Sequence, residues 1–492
     1  MPLIPLTIPP GVFRNGTEYE QSGRWREANL VRWRDGSMRP VGGWIPRVMD
    51  EFSEPLRGML AWADNSADTQ LAVGTANGLF KISPLGVVSD ITPTGLATGL
   101  VDAAENSAYG GGFYGIGDYG VRRPTTGVFG EATTWALDTW GEYLVACNPQ
   151  DGKIYEWDLD TDNEAAVIAN APTSCKSIVV TEERFLFALA AGGNPRKVQW
   201  SDREDNTTWT PAATNEAGDF ELQTTGRIMC GLRMRGRTLI LTDTDAHIAT
   251  YSGPPFVYGF DRVGTACGAA SRKSAVAIDE GAIWMGFNGF FVFDGSVTRE
   301  IPCEVVDFVL DNINQNQISK VYAVHNSQFG EVWWFYPDGD SVENNRYVTY
   351  DYKENHWSIG LLNRTAGIDR GVFNTPIWAE SNGDLYNHEI GYQHHGSIVF
   401  AETGPISLGN GDSVMKVNNL IPDEKTQGQL EVTFKTRFHP NDVERSYGPY
   451  SMSNPTSVRF TGRQVRMRVQ AVNDKDWRSG IMRIEAIPGG RR

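Results

Sequence analysis

Apolar residues recur along the middle of the chain in pairs of short runs separated by a polar turn, and the stretch Gly281 to Ser296, GAIWMGFNGFFVFDGS, presents the unit in its clearest form. Its two runs, Ala282 to Phe287 and Phe290 to Phe293, are joined by Asn288-Gly289, the dipeptide that most readily supplies the positive φ angles of a tight hairpin turn. Ile283 and Met285 project to one side and Trp284 to the other, so both faces are apolar. Such a hairpin is expected to lie buried between neighbours like itself.

The neighbours are present. LAVGTANGLFKIS from Leu71, YLVACNPQDGKIYEWD from Tyr143, FLFALAAGGNPRKVQWSD from Phe185, TLILTDTDAHIATYSG from Thr238, VWWFYPDGDSVENNRYVTYD from Val332 and PIWAESNGDLYNHE from Pro376 repeat the same strand, turn and strand. Most begin about 40 to 55 residues apart, the interval of four-stranded propeller blades, whose apolar faces only adjacent blades can bury. The first interval is longer and contains YGGGFYGIGDYG, too glycine-dense for a regular strand pair, so the blade count stands at six or seven. After Pro302, CEVVDFVLDNIN places Val305, Phe308, Val309 and Asn312 at helical spacing, which predicts one short amphipathic helix outside the blades.

Both ends differ from this middle. QLEVTFKTRFHP, TSVRF, QVRMRVQAV and GIMRIEAI alternate apolar with charged residues, the pattern of a sheet with one wet face, ahead of a GGRR tail. The first fifty residues are rich in Pro and then in Arg and Trp. The resulting expectation is an all-β chain: an N-terminal arm over residues 1–54, a six- or seven-bladed β-propeller over 55–398 and a C-terminal β-sandwich over 399–492.

Composition agrees with many turns, at 53 Gly and 25 Pro in 492 residues. The net charge of -16 argues against a surface that grips nucleic-acid phosphates, although Arg24, Arg26, Arg32, Arg34 and Arg39 interleave with Trp25, Trp33 and Trp44 in a way that also suits bases and phosphates. Glu18, Glu20, Glu27 and Asp35 offset those arginines, which favours a protein interface or a packed edge. Cys147, Cys175, Cys230, Cys267 and Cys303 are scattered, without the spacing of a disulfide framework or a zinc site, and read as buried thiols of a protein made in a reducing cytoplasm. No apolar run approaches a membrane span, and the proline-rich start lacks the basic region of a signal peptide. The sequons at Asn15, Asn206 and Asn363 are then chance matches.

SDREDNTTW, Ser201 to Trp209, loosely resembles the Asp-box turn of sialidase-like propellers, which is a fold staple. DLDTDNE alternates Asp158, Asp160, Asp162 and Glu164 but lacks the glycine and distal glutamate of a calcium loop. His394-His395 has no carboxylate or thiol at catalytic spacing, and no metalloprotease, nucleotide-binding or nucleophile-elbow motif is present.

Together the segments resemble the tail nozzle or hub proteins of short-tailed bacteriophages, also called tail tubular protein B or head-to-tail stabilisation proteins. The resemblance lies in order and texture over most of the chain: WRDGSMRPVGGW, GLRMRGRTLILTDTDAHIATYSG, VTYDYKENHWSIG followed by GIDRGVF, and VRFTGRQVRMRVQAVNDKDWRSGIMRIEA, with GPYSMSNPTSVRFTGRQVRMRV the most specific. It implies a virion protein made in the host cytoplasm, a homo-hexameric ring around a DNA conduit, bound to an adaptor ring on one side and to a needle, plug or fibres on the other. Double-stranded DNA would pass without sequence-specific contacts, and neither membrane insertion, catalytic residue, metal nor cofactor is implied. The acidic subunit is compatible, since carboxylates in a lumen repel phosphates within a Debye length. Candidate ring contacts are Arg24, Trp25, Arg32, Trp33 and Arg34 in the arm and Tyr447, Tyr450, Arg459 and Arg463 in the C-terminal domain. The chain is therefore expected to be structural and not an enzyme. The rival expectations are a tail-associated glycan hydrolase, whose carboxylate pair could be assembled by the fold, and a polysaccharide-binding adhesin.

Overall fold

Six consecutive four-stranded antiparallel meanders follow one another along the chain, and a seventh is completed from the N-terminus. The computed structural model describes residues 3–105, 129–279, 281–408, 413–439 and 442–489; the YGGGFYGIGDYG stretch and the last three residues of the GGRR tail lie outside these. The inner strands of the seven blades are Gly58–Ala63, Ala136–Trp140, Ser177–Val180, Ile228–Met234, Ala275–Ile278, Tyr322–Asn326 and Ala366–Ile368, and each touches the next around a closed circle. The chain is a seven-bladed β-propeller, and every hairpin named above is the middle pair of one blade.

Why the blades stack is clear in the fifth. Gly281–Met285 is buried along its whole length. Ile283 and Met285 join an apolar cluster with the sixth blade, whereas Trp284 joins one with Leu239 and Leu241 of the fourth. Tryptophan indoles tie blades to their neighbours as well: Trp135 donates to the Thr75 carbonyl at 2.7 Å, Trp284 to Cys267 at 2.7 Å and Trp334 to Ser274 at 2.9 Å. Burying an indole with its N–H satisfied retains the apolar gain without a desolvation penalty. The turn of this hairpin departs from expectation. It runs over Gly286 to Gly289, closed by the Gly286 N–H on the Gly289 carbonyl at 2.8 Å, and neither Asn288 nor Gly289 has a positive φ.

The seventh blade consists of Ala366–Ile368, Ile377–Ala379, Leu385–His388 and, as its outer strand, Trp44–Val48. Pairing His388 with Trp44 and Leu385 with Val48 sews the ring shut with the chain's beginning. The first 54 residues are thus not a separate arm. Leu3–Leu6 pairs with Met482–Pro488 and Trp25–Asn29 with Phe400–Thr403, so both become strands of the C-terminal sandwich. One sandwich sheet runs Leu3–Leu6, Met482–Pro488, Met415–Ile421, Thr456–Gly462. The other runs Trp25–Asn29, Phe400–Thr403, Gln464–Ala471, Leu430–Arg437, Arg445–Ser451, with Ile406–Ser407 added beside Gln464–Ala471. Between them Phe434 and Phe460 meet at 4.8 Å between ring centres. The predicted helix is Val306–Asn312, between the fifth and sixth blades, with Val309 buried. Its Phe308 ring lies 3.8 Å beneath the Arg14 guanidinium.

Candidate functional site

The structure separates the nine proposed contact residues into two groups. Trp25, Arg32 and Trp33 are buried within this chain, which corrects their assignment to a surface. The Trp25 and Trp33 rings lie 5.9 Å apart and pack the joint between sandwich and sixth blade. Arg32 is bidentate to Glu331 at 2.8 Å, reaches Glu389 at 2.6 Å and lies 3.6 Å over the Phe329 ring. Burial opposes its charge, but the two carboxylates outweigh that and raise its pKa above the ordinary arginine value. Arg24 is half-buried and pairs with Glu304 at 2.6 Å, and Arg34 faces Phe329 at 5.6 Å. Trp25, Arg32 and Trp33 of this run thus cement two bodies of the same chain.

The C-terminal candidates stand differently. Tyr447 and Tyr450 are half-buried on the edge strand Arg445–Ser451, Arg459 is exposed on Thr456–Gly462, and Arg463 is half-buried beyond it. Among the described residues each of these two strands is the last of its sheet, so this end of the sandwich offers two open edges.

Other flagged motifs are structural. In SDREDNTTW, Asp205 accepts from Thr207 and Thr208, hydrogen bonds that hold its carboxyl below the ordinary value, while Trp209 is buried with its indole on the Asn206 carbonyl at 2.7 Å. His394 and His395 contact the Val41 and Trp44 carbonyls, both at 2.9 Å, at the seam of the ring. Among the described residues no group of three or more His, Cys, Asp or Glu is placed to hold a metal ion, DLDTDNE included.

Two adjoining cavities among the described residues lie along the propeller's central channel. A cavity of about 450 Å³ opens at one mouth, lined by Glu131, Lys176, Arg227 and Arg272 among others. A second, of about 370 Å³, adjoins it along the inner strands and brings in Asp138, Arg233, Cys230 and Lys273. Thr134, Lys176 and Arg272 line both. Glu131 is held by Arg227 at 2.7 Å and Arg272 at 3.1 Å; burial would raise its pKa, yet the two arginines bring it below the ordinary value. Asp138 is pushed up by burial despite Arg233 at 3.7 Å. Lys273 borders the channel and is half-buried, and desolvation lowers its ammonium to about 8.

This cluster was not singled out in the sequence, although a signal exists. Lys176 immediately precedes the inner strand of the third blade, Arg227 that of the fourth, and Arg272-Lys273 comes just before that of the fifth. A basic residue at the same position of successive repeats points to one mouth of a propeller, because that position of every blade converges on the axis.

No protein-family model matches the sequence, and comparison with characterised proteins finds no match. Solved structures of similar shape include virginiamycin B lyase from Staphylococcus aureus, at TM-score 0.44 and 9% identity over 70% of this chain and 98% of that one. A streptogramin B lyase follows at 0.42 and 9%, over 70% and 97%. BamB from Moraxella catarrhalis gives 0.37 and 9%, over 75% and 95%. At such identity the likeness concerns architecture alone. It nonetheless corrects one expectation. The expectation that the chain is not an enzyme does not stand, since two of these neighbours are named as lyases. The physical reason is that a propeller can gather polar groups from separate blades, so the lack of a contiguous motif excludes nothing.

Proposed function

We propose that this chain is a ring-forming structural subunit of a short viral tail, of the nozzle or hub kind, with copies closing around a conduit for double-stranded DNA. Its partners are further copies of itself, an adaptor ring, and a needle, plug or fibre. The observation that carries this reading is the open end of the sandwich. GPYSMSNPTSVRFTG, part of the segment most characteristic of such proteins, runs from the edge strand Arg445–Ser451 of one sheet directly into the edge strand Thr456–Gly462 of the other. Unpaired strand edges bearing Tyr450 and exposed Arg459 are suited to docking a neighbouring subunit, and a heterologous contact of this sort closes into a ring when its rotation allows.

Two further features support it. The N-terminal segment threads both bodies, so propeller and sandwich are cemented as a load-bearing unit must be. The net charge of -16 suits a wall past which DNA slides. The propeller's own channel is far too small for a duplex, so on this reading the conduit is the hole of the ring.

Electron microscopy of the purified protein, alone and mixed with its adaptor ring, tests the proposal. Closed rings with a central hole are expected, and Arg459→Glu combined with Tyr450→Ser should abolish them without changing the melting temperature. Single particles under every condition would overturn the reading, and rings of the double variant would remove this edge from the contact.

A further inference from the structure

We propose that the central channel of the propeller binds a small, multiply charged oxyanion: a phosphate, a phosphate ester or a compact polycarboxylate. The inference is independent of ring assembly. In a chain of net charge -16, an ordinary cavity would carry an excess of carboxylates. The channel reverses that balance. Among the described residues Lys176, Arg227, Arg233, Arg272 and Lys273 face only Glu131 and Asp138.

Those carboxylates only partly offset the cations. Glu131 is taken up by Arg227 and Arg272, and Asp138, 3.7 Å from Arg233, is shared between that guanidinium and the Lys273 ammonium. Lys176 donates to the Pro149 carbonyl at 2.7 Å and has no carboxylate within ion-pair distance among the described residues. The Lys273 ammonium has no hydrogen-bond or ion-pair partner among the described residues, yet it borders the cavity. Cations gathered in a region of reduced dielectric repel one another, and leaving an ammonium there without an acceptor costs free energy. An oxyanion relieves both, because its several acceptor oxygens can meet an ammonium and a guanidinium fork together. Adjoining volumes of about 450 and 370 Å³ are those of small-molecule sites.

Calorimetric titration of the full chain with inorganic phosphate, citrate and adenosine monophosphate, at fixed ionic strength against chloride, decides the matter and identifies the source. Saturable binding of at least one of them, one per chain, is expected. Lys273→Gln should weaken it about tenfold or more. Asp138→Asn, which removes negative charge from the same channel, should tighten it, and Lys416→Gln on the sandwich surface should leave it unchanged. No saturable binding beyond chloride would overturn the proposal. So would wild-type affinity in both channel variants, and Asp138→Asn keeps the test open should Lys273→Gln fold poorly.

Discussion

Arg32 and Glu389 form a buried ion pair with a separation of 2.6 Å, the two side chains only 7% and 3% exposed. Glu389 follows the third strand of the seventh blade, Arg32 belongs to the short hairpin of Val31–Arg34 with Ser37–Pro40, and the same guanidinium grips Glu331 at the start of a strand in the sixth blade. Glu389 also accepts from the Gly42 N–H at 3.0 Å and from Asn326 at 2.9 Å, and Glu331 from the Trp333 indole at 2.9 Å. One guanidinium therefore holds two blades and the N-terminal segment in register.

Arg32→Met leaves two buried carboxylates facing each other without their cation. Removing one partner of a buried pair costs about 3–5 kcal/mol, a large share of a domain's stability. Chemical denaturation should show a loss of that size, whereas Arg39→Met, on the half-buried partner of exposed Asp35, should cost less than about 1 kcal/mol. Equal midpoints for the two variants would show that the cluster does not bind the ring together.

Acid should loosen the seam. Trp44 stacks on His388 at 5.3 Å, and Arg364 donates from Nε to His388 Nε2 at 3.0 Å, which fixes that imidazole as a neutral acceptor. Burial, then Arg364 and His394, hold His388 well below the ordinary histidine value. In the unfolded chain it gains a proton near pH 6.5 while the folded one does not, so the unfolded state binds more protons below that pH. The stabilisation is complete above about pH 6.5 and is lost as pH falls beneath it. His388→Gln keeps an acceptor for Arg364 without titrating. Its denaturation midpoint should fall less than that of the wild type between pH 7.5 and 5.5, and parallel curves would exclude His388 as the cause.

These two clusters mark what the sequence does and does not make legible. Each hairpin could be read because its pairing is local and both of its faces are apolar, as in Ile283, Trp284 and Met285. The closing strand could not. Nothing in Trp44 to Val48 says that its partner is Leu385–His388, at the far end of the propeller, and Arg32 looks like a surface residue until Glu331 and Glu389 are brought to it. The Asn288-Gly289 turn was misread for a tertiary reason. At Gly286 a Cβ would sit 2.6 Å from the Gly268 carbonyl oxygen, so the loop is shaped by the chain packed against it. The channel cations escaped because they come from the third, fourth and fifth blades, one or two from each, and only the closed ring makes them a group.

Cysteine chemistry gives a rapid check on packing. All five thiols are free, and four are fully buried. Burial pushes Cys230 and Cys267 to about 11 and Cys175 to about 12, and raises Cys147 and Cys303 as well. At pH 8 little thiolate is present and access is poor, so a thiol-reactive dye should label the native protein slowly and all five positions quickly after unfolding. Fast reaction of any of the four buried thiols in the native state would reveal local opening of the propeller.

The last expectation concerns the first two blades. Trp135 is fully buried just ahead of the inner strand of the second blade, with its indole N–H on Thr75; its ring fills the space that a side chain at Gly74 would occupy, and its Cβ and backbone the space at Gly58. A Cβ at Gly74 would lie 2.2 Å from Trp135 Cδ1, and one at Gly58 would lie 2.8 Å from Trp135 Cβ. The ring has no room to retreat, since it is packed among Leu79, Leu144 and Tyr155. Gly74→Ala should therefore destabilise by about 1–3 kcal/mol despite adding a single methyl. Gly236→Ala, at an open hairpin tip where φ is +66°, should cost less, through backbone strain alone. If Trp135→Leu restores most of what Gly74→Ala loses, the clash is the cause; an additive loss would place the requirement for glycine in the strand itself.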